Sequence, residues 1–203
     1  MLDAPRLSAY ASTSMPLLDS ETPLSHRPAR VVVAGTTGAG KSTLARRIGE
    51  LLGLPYTEMD ALFHGPGWTP RASFVEDVRA LVDAPRWVTE FQYDAARPLL
   101  AERADLFVWL DLPRSLVMAR VVRRTLGRAL RGEVLWNENR EPPLRTFFTD
   151  RDHVVRWAWR THGDNRARMR ALVAARPDFP VVRLRTAREV ERWVAGPLHR
   201  LRA

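Results

Sequence analysis

One lysine occurs in this chain of 203 residues, against 31 arginines, and it stands at position 41. It falls within Gly35-Thr36-Thr37-Gly38-Ala39-Gly40-Lys41-Ser42-Thr43, which fits the phosphate-binding pattern G-x-x-x-x-G-K-[ST]. A chain that uses arginine everywhere else keeps a compact ammonium where it would reach nucleotide phosphates. The flanks suit that reading. Arg30-Val31-Val32-Val33-Ala34 is an apolar, β-branched run that predicts a buried strand. Leu44, Ile48, Leu51 and Leu52 then recur at helical spacing, and Gly53 and Pro55 supply a stop. Strand, glycine loop and helix in this order predict main-chain N–H groups turned toward phosphates, reinforced by the helix dipole. Residues 35–43 are thus the expected nucleotide-binding set, with Lys41 between the β- and γ-phosphates of ATP and the Ser42 hydroxyl on Mg²⁺.

Further along, Leu54 to Met59 reads as a second strand ending at Asp60, and a Gly/Pro loop follows at His64 to Trp68. Thr69 as N-cap and Pro70 at the first helical position predict a helix carrying Phe74, Val78, Leu81 and Val82 on one face. Trp87-Val88-Thr89 is a third strand ending near Glu90, and Ala95 to Arg103 a short helix. Leu106 to Leu110 is the clearest central strand, ending at Asp111, and Pro113 opens a long helix. Leu144 to Ala175 reads as helical with a break at Gly163-Asp164-Asn165. Pro180 to Leu184 is a last strand and Arg188 to Val194 a last helix. Alternating strands and helices predict a mostly parallel α/β sheet covered on both faces. Ligands sit beyond the carboxyl ends of such strands, which directs attention to Gly35–Ser42, Asp60, Glu90–Tyr93, Asp111 and Arg185.

These segments resemble the FlaR-type proteins, adenylate-kinase-like P-loop proteins often labelled DNA topology modulation proteins. The resemblance runs through the glycine loop, Met59-Asp60-Ala61-Leu62-Phe63 with Pro66-Gly67-Trp68, Trp87 to Tyr93, and Phe107 to Arg114, and covers residues 30 to 193. It implies a nucleoside-monophosphate-kinase-like, three-layer α/β/α P-loop NTPase fold. The sheet would have five strands in the order 2-3-1-4-5, with a helical lid over residues 124–143. It also implies a kinase-type activity. Similar proteins end the third strand in Asp-Gly-Asn-Tyr, whereas this chain has Glu90-Phe91-Gln92-Tyr93; Phe91 in place of glycine bears on the acceptor pocket.

In similar small-molecule kinases an Asp at position 60 contacts the acceptor hydroxyl or a Mg²⁺-bound water; the alternative is a turn cap. Glu90 is a candidate Mg²⁺ carboxylate acting through water, set against a strand-end glutamate without that duty. Asp111 resembles the end of a Walker B strand, but the following Leu-Pro favours a structural tie. Arg120, Arg124, Arg128 and Arg131 share a helical face with Arg123 alongside; the resemblance implies that such arginines clamp the transferring phosphates, with Arg120 and Arg124 foremost. A solvated basic face is the rival reading. Trp136 to Glu141 suits the lid, and of Trp157 and Trp159 one is expected in the core and one at the surface. Arg185 to Arg188 is where similar folds pass the adenine base, or simply a helix cap at Thr186.

Composition narrows the remaining classes. A hydrophobic content of 45% supports one domain, expected over 30–203 after a flexible, Ser/Thr/Pro-rich extension over 1–29. No run of eighteen apolar residues occurs, and the absence of cysteine excludes disulfides and thiolate chemistry and fits a cytoplasmic protein. A net charge of +9 fits an acidic ligand, whether nucleotide, phosphorylated metabolite or nucleic acid. The leading expectation is an ATP- and Mg²⁺-dependent phosphotransferase acting on a small acceptor near Asp60, Trp68 and Tyr93. A nucleic-acid-associated nucleotide sensor and a polynucleotide kinase are the alternatives.

Overall fold

The computed structural model describes residues 17–131 and 154–202. The valine run is β1, Arg30–Gly35, and it lies at the centre of the sheet. On one side it pairs in parallel with β2, Trp87–Glu90, in the register Val31 to Val88. On the other it pairs with β3, Leu106–Leu110, which pairs in turn with β4, Val181–Leu184, all parallel. The order is β2-β1-β3-β4, with every strand end that follows the chain direction on the same edge.

Side chains alternate across this sheet with period two. Val31, Val33, Val88, Val108, Val182 and Leu184 face one apolar layer. That layer is completed by α1 (Lys41–Leu52), α5 (Arg114–Arg131) and α7 (Ala187–Trp193). Val32, Ala34, Trp87, Phe107 and Trp109 face the other. There they meet α2 (Met59–Phe63), α3 (Phe74–Asp83), α4 (Arg97–Arg103) and Met169 of α6 (Val154–Ala175). The three-layer α/β/α arrangement expected from the sequence is therefore present.

Four expectations need correction. The second strand is reduced to one parallel bridge, Tyr56 to Val88, so the described sheet has four strands; counting that bridge as an edge keeps the order 2-3-1-4-5. The run breaks off because Met59 already begins α2, its N–H donating to the Glu90 carboxylate. The helix predicted from Thr69 starts at Phe74, with Thr69 donating its hydroxyl to the Pro66 carbonyl instead. No break occurs at Gly163-Asp164-Asn165: Asn165 donates to the Thr161 carbonyl of its own helix, and burial of Ala158, His162 and Met169 outweighs the glycine. Finally, the segment expected as a flexible extension joins the fold from Leu18. Leu18 is buried and forms a parallel bridge to Val182 at the free edge of β4.

Candidate active site

A cleft of about 1550 Å³ opens at the carboxyl ends of the strands. Its floor is the loop between β1 and α1, which includes Gly35, Thr37, Gly38, Ala39, Gly40, Lys41, Ser42 and Thr43. Gly38 (φ 83°) and Gly40 (φ 98°) both take the left-handed conformation, the backbone pattern that forms anion-binding concavities. Gly38 is also sterically required, since a Cβ there would lie 2.2 Å from Val121 Cγ2. Lys41 is 8% exposed and its Nζ donates to the Thr36 carbonyl over 3.3 Å. Burial holds its ammonium below the ordinary value, opposed first by Asp60 and then by Glu90. Thr36 itself is buried behind the loop, where its hydroxyl accepts from Asn165 of α6 over 2.9 Å.

Asp60, in the first turn of α2, borders the same cleft, and its charge acts on Lys41. Its Oδ1 accepts from the Tyr93 hydroxyl (2.6 Å) and from Gln92 Nε2 (2.8 Å). Tyr93 carries φ 59° and stacks on Phe63 at 3.9 Å between ring centroids, while its oxygen lies 3.2 Å from His64 Nε2. Trp68 (φ 61°) stands edge-on to His64, and all of these residues border the cleft. Two non-glycine residues in left-handed backbone thus border the cleft, one of them bonded to its carboxylate, a strain that persists only where surrounding contacts hold it.

Glu90 is set back from the cleft. It is 1% exposed, and its two oxygens accept from the Tyr56 hydroxyl (2.6 Å) and the Met59 N–H (3.0 Å). Through these bonds it ties the edge segment and the start of α2 to β2, and so positions Asp60 one residue on. Asp111 is likewise outside the cleft wall and 5% exposed. It binds Arg166 Nε over 2.6 Å and the Arg183 guanidinium, joining α6 to β4 rather than β3 to the start of α5. Phe91 packs edge-on against Phe107 in the core.

Arginines supply a further part of the wall. Arg120 donates to the Ala39 carbonyl over 3.0 Å, and Arg123 and Arg124 border the cleft beside it. Arg128 and Arg131, as side chains, and residues 132–143 of the expected lid with Trp136 to Glu141 lie outside the described part. Arg185 is exposed and not part of the wall; its N–H donates to Glu189, and Thr186 caps α7 through the Glu189 N–H. From that region Ala187, Val190 and Glu191 border the cleft, Glu191 gripping Arg47 of α1 through two bonds of 2.7 and 2.8 Å. Trp157 and Trp159 are both exposed, because Ala158 and His162 take the core stripe of α6. Sequence reasoning missed Arg97, Asn165 and Arg168, which the fold brings to the cleft from α4 and α6.

No protein-family model matches the chain, and no curated protein matches it. Solved structures do. The fold is similar to that of a gluconokinase from Sinorhizobium meliloti, at 21% identity and a TM-score of 0.50, with 87% of this chain and 95% of that one covered. A sugar kinase from Janibacter sp. (21% identity, TM-score 0.41, 86% and 90% covered) and a shikimate kinase from Acinetobacter baumannii (20%, 0.41, 85% and 88%) also match. At 21% identity the likeness to the gluconokinase establishes a shared α/β fold alone. Among the described residues no helix is long and apolar enough to cross a membrane.

Proposed function

We propose that this chain is an ATP-dependent phosphotransferase acting on a small acceptor. The observation that carries the reading is a buried lysine in a left-handed glycine loop that shares one cleft with a carboxylate, one oxygen of which is already hydrogen-bonded. The triphosphate lies along Gly35–Thr43, with Lys41 on the β- and γ-phosphates and Arg120 and Arg124 above them. The acceptor sits between Asp60, Trp68 and Tyr93. Its hydroxyl oxygen attacks the γ-phosphorus, the bond from that phosphorus to the bridging β-oxygen breaks, and the hydroxyl proton passes to Asp60 Oδ2. Tyr93 and Gln92 hold Oδ1, which aims the second oxygen into the cleft.

The residues present also fit a nucleotide-borne Mg²⁺. Among the described residues no three acidic or histidine side chains group around a metal position. A magnesium ion held through phosphates, water and one hydroxyl needs no such cage, and Ser42 at the floor offers that hydroxyl. When bound, the ion would neutralise charge on the transferring phosphoryl group. The FlaR-type resemblance supports the same class, and a cytoplasmic location suits a cysteine-free chain. The test is binding and turnover of Mg²⁺-ATP: Lys41→Ala is expected to abolish both, whereas Asp60→Ala is expected to keep nucleotide binding and lose transfer. Normal ATP binding by Lys41→Ala would overturn the reading.

A further inference from the structure

Two cations in the cleft have no part in the contacts assigned above. Arg97 opens α4 and Arg168 lies in the middle of α6. Arg97 donates to Asp94 Oδ1, and Arg168 NH2 lies 4.0 Å from the same oxygen. Two guanidinium groups therefore converge on one carboxylate oxygen, and that carboxylate's side chain is 92% exposed.

The arginines are held where they are. The Arg97 side chain is 19% exposed, its group stands over the Phe91 ring at 5.9 Å, and its Nε is buried with no hydrogen-bond partner. Arg168 donates to Asn165 Oδ1 over 3.0 Å, and Asn165 is anchored on Thr36. Burial, and then the charge of Arg168, pull the Arg97 guanidinium below its ordinary value, with Asp94 opposing. Like charges brought together away from water are unfavourable unless an anion lies between them. A guanidinium is a planar fork matched to two oxygens of a carboxylate or phosphate. A well-solvated aspartate meets that demand weakly.

The pair lies near the glycine loop, since the charge of Arg97 acts on Lys41, but Arg97 and Arg168 make no hydrogen bond to that loop themselves among the described contacts. Arg97 follows directly on the segment that supplies Gln92 and Tyr93, the residues holding Asp60. Arg120, by contrast, is bonded to the glycine loop itself. We infer that Arg97 and Arg168 form a pocket for an oxyanion, a carboxylate or phosphate group carried by the phosphoryl acceptor, with Asp94 as the chain's own stand-in for that group. The acceptor is then an anionic hydroxy compound: its negative group is gripped by the two arginines while its hydroxyl meets Asp60. This rests on the phosphotransferase reading for the word acceptor, but not for the pocket.

The full chain, saturated with Mg²⁺ and a non-hydrolysable ATP analogue so that the glycine loop is filled, is titrated calorimetrically with inorganic phosphate and, separately, with acetate. The tighter of the two names the group. Arg97→Gln and Arg168→Gln are each expected to weaken that binding by about tenfold or more, Arg97→Lys by less, and Asp94→Asn to strengthen it. Affinity for the ATP analogue stays within about twofold in all four variants. Neither anion binding to the nucleotide-filled chain, or binding unchanged in both glutamine variants, would overturn the pocket. Failure of the ATP analogue itself to bind would instead strike the nucleotide reading; the same titrations on Lys41→Ala without nucleotide then decide the pocket by the same tenfold criterion.

Discussion

The Tyr93 hydroxyl donates to Asp60 Oδ1 over 2.6 Å, from a residue whose own backbone is left-handed. Strain at Tyr93 and order at Asp60 are thus two ends of one contact. Tyr93→Phe removes the bond and keeps the ring stack on Phe63. The expected result is a fall in kcat of about 100-fold with little change in ATP affinity, since a misaimed carboxylate affects transfer rather than binding. Steady-state kinetics beside an ATP-analogue titration checks this.

Lys41 is buried, and its ammonium donates to a carbonyl of its own loop. In Lys41→Met an apolar chain of similar length removes that desolvated charge. The nucleotide-free variant is expected to melt about 3 °C higher than the parent while losing nucleotide binding. Calorimetric scans with and without Mg²⁺-ATP separate the two effects.

Gly38 meets two independent constraints, the left-handed φ of 83° and the Val121 methyl that would lie 2.2 Å from any Cβ there. Gly38→Ala should cost about 1–3 kcal/mol in stability and reduce nucleotide affinity. Adding Val121→Ala relieves the clash but not the backbone, so the double variant should recover only part of the stability loss. Complete recovery in urea melts would contradict that division.

Asp111 is buried between Arg166 and Arg183. Asp111→Asn leaves both guanidinium groups short of their anion and is expected to destabilise the fold by about 3 kcal/mol. Because the residue lies outside the cleft wall, ATP affinity of the folded variant should match the parent. A Walker B role would predict the reverse, unimpaired folding and lost nucleotide turnover.

The phenols of Tyr56 and Tyr93 are both pushed up from the ordinary value of 10.0. Burial is the first cause in each, followed by the hydrogen bond to Glu90 for Tyr56 and the charge of Asp60 for Tyr93. Above about pH 10 the unfolded tyrosines lose protons that the folded ones retain, so the folded state binds more protons and stability falls as pH rises. The double variant Tyr56→Phe, Tyr93→Phe should show a shallower alkaline decline than the parent in thermal melts across that range.

The glycine loop could be read from sequence because its unit is local: a β-branched run, special backbone positions and a helical stripe lie within about 25 residues, and each strand shows as its own apolar run. Asp60 and Tyr93 were reachable through the rule that ligands gather at strand ends. Arg97 and Arg168 were not. Nothing distinguishes one arginine among 31 until α4 and α6 are packed on the same face of the sheet. Glu90 could be placed at a strand end from sequence, but its bonds to the Tyr56 hydroxyl and the Met59 N–H, both distant in sequence, could not.

Leu18 covers the outer margin of β4 with a single residue, bonded on both sides to Val181 and Arg183. A chain cut before this leucine would keep its border sealed, whereas one cut after it would offer unpaired amides and carbonyls to any extended peptide nearby. Shortened versions of this protein should therefore associate more readily within a few residues of that point, whatever becomes of the cleft at the carboxyl ends of the strands.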